Sequence, residues 1–375
     1  MDRFLFIREW TVLITSLCLL LCACGPRAGG YPYHELDIPE QRVFNGFAFL
    51  KKERSADAQR EFEQALHLQP DCSAAYRGMG LVYGSKRDFK RAFDFMSQAA
   101  KYAENNPDRA LADVGMASLY RMERSKGWLA KVERLFNQSL SWSDEIPEAY
   151  LELGLAYKQA YRFRDAEKAF IKVVDLNKTL LGEAREEIEV LKKIETARPE
   201  SAFGKEVVLS RRINRAETAA LLVGEFPLHH ISARSAREKS NKPPIPPPDV
   251  SNHRMKKEIL RVMRMNLEGL GVLPDGSFGV DQYVTRGGFA EVMADILVKG
   301  AEKPELKGRY DRVLSPFKDV RSSSPHFKSI MICYDWAGIM GGWEGYFHPM
   351  ETLSGVDALL IIRDAVTKLK LLGKL

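Results

Sequence analysis

Two arginines sit at equivalent places in the second half of the chain. Arg215 follows Asn214 and Arg286 follows Thr285. A guanidinium grips a carboxylate through two parallel hydrogen bonds, which a lysine cannot do. Acids stand three places after residues of the same kind: Glu217 after Asn214, and Asp357 after Ser354. Trp336, Trp343 and Tyr346 lie nearby in sequence and offer flat faces on which a sugar ring can stack. By type alone, the arginines suit a carboxylate and Trp343 and its neighbours a stacked ring. The same residues also suit helix packing and a solvated surface, and both readings stand.

Bond-breaking chemistry finds less to work with. There is no Ser-His-Asp order, GxSxG, HExxH, GxGxxG or phosphate-binding loop. His229 and His230 are adjacent, a poor arrangement for two ligands on one helix face. Asp144-Glu145 and Glu186-Glu187 read as solvated helix faces. No CxxC or Cys/His cluster suggests zinc. The expectation is a binding protein with no enzyme activity, cofactor or metal, although architecture alone does not exclude catalysis.

The elements that position these residues repeat. Asn214, Thr285 and Ser354 are N-cap types in front of apolar helices. Glu217 adds a capping-box acid. One copy runs through Asp249-Val250, Gly269-Leu270-Gly271, Asp275-Gly276-Ser277-Phe278 and Thr285-Arg286. The next runs through Phe317-Lys318-Asp319-Val320, Gly338-Ile339-Met340-Gly341, Phe347-His348-Pro349 and Ser354-Gly355-Val356-Asp357. Phe278 to Phe347 and Thr285 to Ser354 are both steps of 69. An incomplete copy, Ile213 to Leu222, precedes them. Asp275-Gly276 is turn chemistry.

This order resembles the S-layer homology (SLH) domain. The resemblance implies a pseudo-trimer of helical lobes, with copies at about 198–238, 249–300 and 315–372. It also implies that the motif's arginine and acid line grooves for an anionic cell-wall polysaccharide or peptidoglycan. The match departs from the pattern in three places. Gly287-Gly288 replaces Ala-Glu, Gly355 stands where a third arginine belongs, and the first copy lacks its front half. The proline-rich stretch 241–249 reads as a stiff connector.

An earlier repeat has a shorter period. Tyr76-x2-Met79-Gly80-x2-Tyr83, then Ala92-x3-Met96-x2-Ala99, lies over Tyr150-x2-Leu153-Gly154-x2-Tyr157, then Ala166-x3-Phe170-x2-Val173. Gly46, Phe49, Ala58, Phe62, Ala65 and Pro70 make another copy, and Gly46 to Gly80 is a step of 34. A degenerate copy opens at Gly115, with extra length around Met122–Gly127 that is either a longer helix pair or a loop. The pattern resembles the tetratricopeptide (TPR) repeat. It implies about four stacked helix pairs over residues 39–180, with the charged helix 183–197 as an end cap. The groove candidates are Val43, Phe47, Arg77, Leu81, Leu151 and Leu155, apolar but for Arg77. They either receive a segment of a protein partner or pack against neighbouring repeats.

The chain opens with Arg3 and Arg8 before an apolar run, Trp10 to Ala23, too short for a bilayer span of about 20 residues. Leu21-Cys22-Ala23-Cys24 resembles the bacterial lipobox, with Cys22 in a slot usually held by Ser or Ala. The resemblance implies cleavage before Cys24, lipidation there and a membrane anchor held by more than one acyl chain. Gly25 rather than Asp points to the outer membrane in a cell that has one. An ordinary signal peptide and an uncleaved anchor are the alternatives. The expected layout is a signal over 1–23, a linker over 24–38, TPR repeats over 39–197 and SLH-like lobes over 198–375. Cys72 and Cys333 are expected to be free, buried thiols.

The net charge of +6 spread over 375 residues does not single out nucleic acid as a partner. The expected fold is all-α: a TPR superhelix followed by an SLH-type pseudo-trimer. The expected role is a lipid-anchored envelope tether. The alternative is a pilotin-like assembly factor for a secretion, pilus or polysaccharide-export machine, with lobes that only pack.

Overall fold

A computed structural model describes residues 38–228 and 245–375. The signal, Cys24, His229, His230 and most of the proline-rich stretch lie outside them. The described residues are all helix and loop, with no strand beyond isolated bridges. None of their helices is long and apolar enough to cross a membrane. They divide into two compact units, one ending at Glu152 and the other starting at Leu153.

The first unit is a series of helix pairs: α1 (Pro39–Lys51) with α2 (Ser55–Leu68), α3 (Ser73–Ser85) with α4 (Phe89–Lys101), and α5 (Asn106–Glu123) with α6 (Trp128–Trp142). Local chemistry sets the starts. Pro39 opens α1, and the side chains of Asp88 and Asn105 accept the N–H groups of Arg91 and Asp108 at the starts of α4 and α5. First helices also pack side by side, α1 on α3 and α3 on α5. The period follows from one wedge. Phe62 of α2 is fully buried, and a methyl at Gly46 of its own pair or at Gly78 of the next would overlap its ring. Met96, 34 residues on, sits in the same way against Gly80 and Gly115. These are the stacked helix pairs of a TPR-like array. The extra length of the degenerate copy is helix: α5 has 18 residues and ends on Arg124 in the left-handed region.

α7 (Pro147–Gln159) begins the next pair, and Phe170 on α8 (Phe163–Leu176) faces Gly154 as Phe62 faces Gly46. α9 (Leu181–Ala197) packs against α8 and against the last helix, α16 (Gly355–Leu371).

The rest of the second unit is built on three long helices that start alike: α11 (Arg215–Glu225), α13 (Arg286–Ala301) and α16. Asn214, Thr285 and Ser354 each cap their helix by accepting the N–H three residues on. Asn214 and Glu217 form the reciprocal capping box. The residues just before the caps close a ring of backbone hydrogen bonds. Ile213 donates to Leu353 (2.9 Å), Leu353 to Val284 (3.2 Å) and Val284 to Ile213 (2.9 Å). Three chain segments about 70 residues apart thus meet on one pseudo-threefold axis, with all three side chains buried. Shorter elements fill the lobes: α10 (Ala202–Val207), α12 (Lys256–Arg264), α14 (Leu306–Arg309) and α15 (Phe327–Met331), the last running on into a π-helical turn, Ile332–Ala337.

Candidate ligand-binding surfaces

Around the axis, each lobe meets the next at a junction where an arginine is expected. At the first, Arg215 is buried. It donates from Nε to the Phe278 carbonyl (2.7 Å), from Nη1 to Gly269 (2.5 Å) and from Nη2 to Gly271 (2.6 Å), with its guanidinium 4.9 Å over the Phe278 ring. Every nitrogen of the fork ends on a carbonyl, so Arg215 clamps lobe to lobe, with none of its three nitrogens wholly unused. Asp249 works on the same loop from the other side. Its carboxylate accepts the N–H groups of Phe278, Gly279 and Val280. Burial opposes its ionised form, but those N–H groups outweigh burial and hold its pKa below the ordinary value.

The second junction repeats this with one change. Arg286 donates from Nε to Phe347 and from Nη2 to Gly341, both at 3.0 Å, and lies 4.9 Å over the Phe347 ring. Asp319 accepts the N–H groups of Phe347 (2.9 Å) and His348 (2.7 Å). The glycine loop here has the same length, but its second glycine comes one place later, at Gly341, and Met340 takes a φ of 55°. No carbonyl meets Nη1 among the described residues, and Arg286 is only half-buried. Beside it is an aromatic shelf. Trp343 and Tyr346 are 48 % and 39 % exposed and exchange backbone hydrogen bonds of 3.0 and 2.9 Å across Glu344-Gly345. Both of those turn residues have positive φ, the geometry of a tight hairpin turn. His348 stacks on Trp343 at 4.2 Å, the Arg286 guanidinium lies 5.1 Å from the same indole, and Lys318 Nζ lies 4.9 Å over Tyr346. Two cations and two exposed rings therefore share one surface. Nothing in the sequence marks Lys318 or His348, because both are variable places within their motifs.

The third junction is closed. A methyl on Gly355 would fall on the carbonyl of Val207, and the Gly355 N–H donates to Ser210 at 2.9 Å. The truncated first copy presses its backbone where a third arginine would stand. Gly287 has a similar cause: a methyl there would meet the His326 ring and the Pro349 carbonyl, at 2.9 and 3.0 Å. Glu217 and Asp357 are spent locally. Glu217 accepts from Ser210 Oγ and from the Asn214 N–H. Asp357 bonds the Ser354 hydroxyl and pairs with Lys193 at 2.8 Å.

In the helix pairs, Val43, Phe47 and Arg77 come together in a cleft of about 350 Å³ between α1 and the start of α3, with Glu40, Phe44 and Cys72. Arg77 stacks 4.6 Å over Phe47. Leu81 instead packs into the core around Met96 and Leu119, and Leu151 and Leu155, half-buried on α7, do not line the cleft. Cys72 is half-buried rather than buried; Cys333 is fully buried and its pKa is pushed up by burial. Among the described residues no cluster of His, Cys, Asp and Glu could hold a metal.

Residues 316–355, which carry the second junction's shelf, match the family model of the S-layer homology domain. Over 144 residues, 36 % of this chain, the sequence is 24 % identical to Protein O-mannosyl-transferase TMTC3 of Homo sapiens and to its Mus musculus counterpart. The matched part spans 16 % and 15 % of those proteins. Among solved structures, one described as the functional characterization of Pseudomonas aeruginosa pilF aligns with 44 % of this chain and 93 % of its own, at 12 % identity and a TM-score of 0.22. The SLH segment, beside the TPR-like helix pairs that the fold itself shows, supports protein interaction at the cell envelope.

Proposed function

We propose that this chain is a non-enzymatic envelope scaffold, lipid-anchored at Cys24 on the outer membrane. Its helix pairs hold a protein partner, and its C-terminal lobes hold an anionic wall polysaccharide or peptidoglycan. The observation that carries the glycan half is the second junction. Arg286 keeps one donor nitrogen unused beside the partly exposed Trp343 and Tyr346 and the ammonium of Lys318. A sugar ring stacks on the shelf while its carboxylate meets Arg286 and Lys318. The transferase named among the relatives is not carried over, because the chain matches so small a part of it.

Sedimentation of the full chain with purified sacculi at physiological salt tests this reading. Co-sedimentation is expected. A chain that stays in the supernatant would leave the assembly-factor reading, which the fully engaged Arg215 and the closed Gly355 junction favour. Cys24→Ser tests the anchor: it should leave the membrane fraction, and a variant retained there would point to an uncleaved helix.

A further inference from the structure

The cleft between α1 and α3 carries a charge that the fold does not use. Arg77 has no hydrogen bond or ion pair among the described residues; its guanidinium lies over the Phe47 ring and its stem packs beside Gly115. Burial pushes its pKa down, and the charges of Glu148 and Asp108 oppose that shift. Arg77 is half-buried, so its guanidinium is partly desolvated without an acceptor of its own, and a carboxylate brought by a ligand offsets that cost. The walls around it are apolar: Val43, Phe44, Phe47, Cys72 and Ala74. Phe44, on the rim, is 68 % exposed. The volume, about 350 Å³, falls in the lower part of the range of ligand pockets, about 300–1,000 Å³.

We infer that this cleft receives an acidic, apolar segment of a partner protein, with a side-chain carboxylate on Arg77 and an apolar side chain against Phe44 and Val43. The inference rests on the reading of the helix pairs as a protein-binding array. The α1 wall runs from Glu40 to Phe47, about two helical turns or roughly 10 Å. The occupant we infer is a segment running along that length, not a chain end. Glu40 adds negative charge on the same wall and disfavours a second carboxylate beside the first.

The test uses two labelled, capped peptides, acetyl-Phe-Glu-Leu-amide and acetyl-Phe-Gln-Leu-amide, titrated against the full chain in detergent by fluorescence anisotropy. The Glu peptide should bind about tenfold more tightly. Arg77→Gln should erase that preference, Arg77→Lys should keep part of it, and Phe44→Ala at the exposed rim should weaken both peptides. Equal affinities in the wild type, no binding of either peptide at millimolar concentration, or a preference that survives in Arg77→Gln would each overturn the inference. Tighter binding of acetyl-phenylalanine, with its free terminal carboxylate, than of the Glu peptide would overturn the running segment. Sacculus sedimentation does not involve this cleft, so the two tests fail separately.

Discussion

Arg286 Nε donates to the carbonyl of Phe347 at 3.0 Å, repeating the bond between Arg215 and Phe278 one lobe earlier. The two clamps differ in how many nitrogens they use, three at Arg215 and two at Arg286. One side chain type thus serves as a fastener at the first junction and keeps a donor in reserve at the second.

Arg215→Ala removes a buried fork and strands three carbonyls. The expected loss is about 3 kcal/mol or more, read as a lower denaturant midpoint. Arg215→Lys should recover little, since one ammonium cannot reach three carbonyls spread over the fork. A loss under about 1 kcal/mol would show that the clamp is slack.

Gly355→Ala tests the closed third junction. The added methyl meets the Val207 backbone, which cannot rotate away as a side chain can. A loss of about 2 kcal/mol or more is expected, and Gly355→Arg should not fold. Wild-type stability in Gly355→Ala would mean that the first copy stands further off.

Arg363 on α16 joins three segments. It donates to the carbonyls of Ala197 (2.9 Å), Arg198 (2.8 Å) and Glu225 (3.1 Å), and to the Glu225 carboxylate at 2.5 Å. That carboxylate is fully buried. Arg363→Ala leaves it without its cation and should cost about 3–5 kcal/mol. Lys193→Ala, which breaks only the half-exposed pair with Asp357, should cost under about 1 kcal/mol. Calorimetry of the two variants checks the contrast, and similar losses would count against it.

Acid should loosen the lobes through Asp249 and Asp319. Both carboxyls titrate below the ordinary aspartate value when folded. Their stabilisation is therefore complete above about pH 3.9, the unfolded value, and is lost as pH falls through their lower folded values. Asp249→Asn should flatten the fall in urea midpoint between pH 5 and pH 2. An unchanged pH slope would remove Asp249 from this role.

Much of this arrangement is legible in sequence where one residue meets one local rule. The 34-residue step from Gly46 to Gly80 and the caps Asn214, Thr285 and Ser354 are of this kind. What stays hidden depends on loops meeting across the fold. Gly78 does not stand out until Phe62 is seen wedged against it. Arg215 and Arg286 read alike, and only the carbonyls of the glycine loops, 54 to 63 residues away, tell them apart. The one-place shift of the second glycine, Gly271 in one loop and Gly341 in the next, is visible in the sequence, but the Nη1 left without a carbonyl is not. Gly355 reads as a lost arginine; in the structure it is the place where Val207 closes the ring.

The dissociation constant of Arg286→Gln for purified sacculi, beside wild type and Trp343→Ala, probes the glycan assignment most sharply. Removing the reserve donor, or the ring beside it, should weaken binding about tenfold or more while leaving the helical circular-dichroism signal intact. Wild-type affinity in both folded variants would contradict binding at this junction.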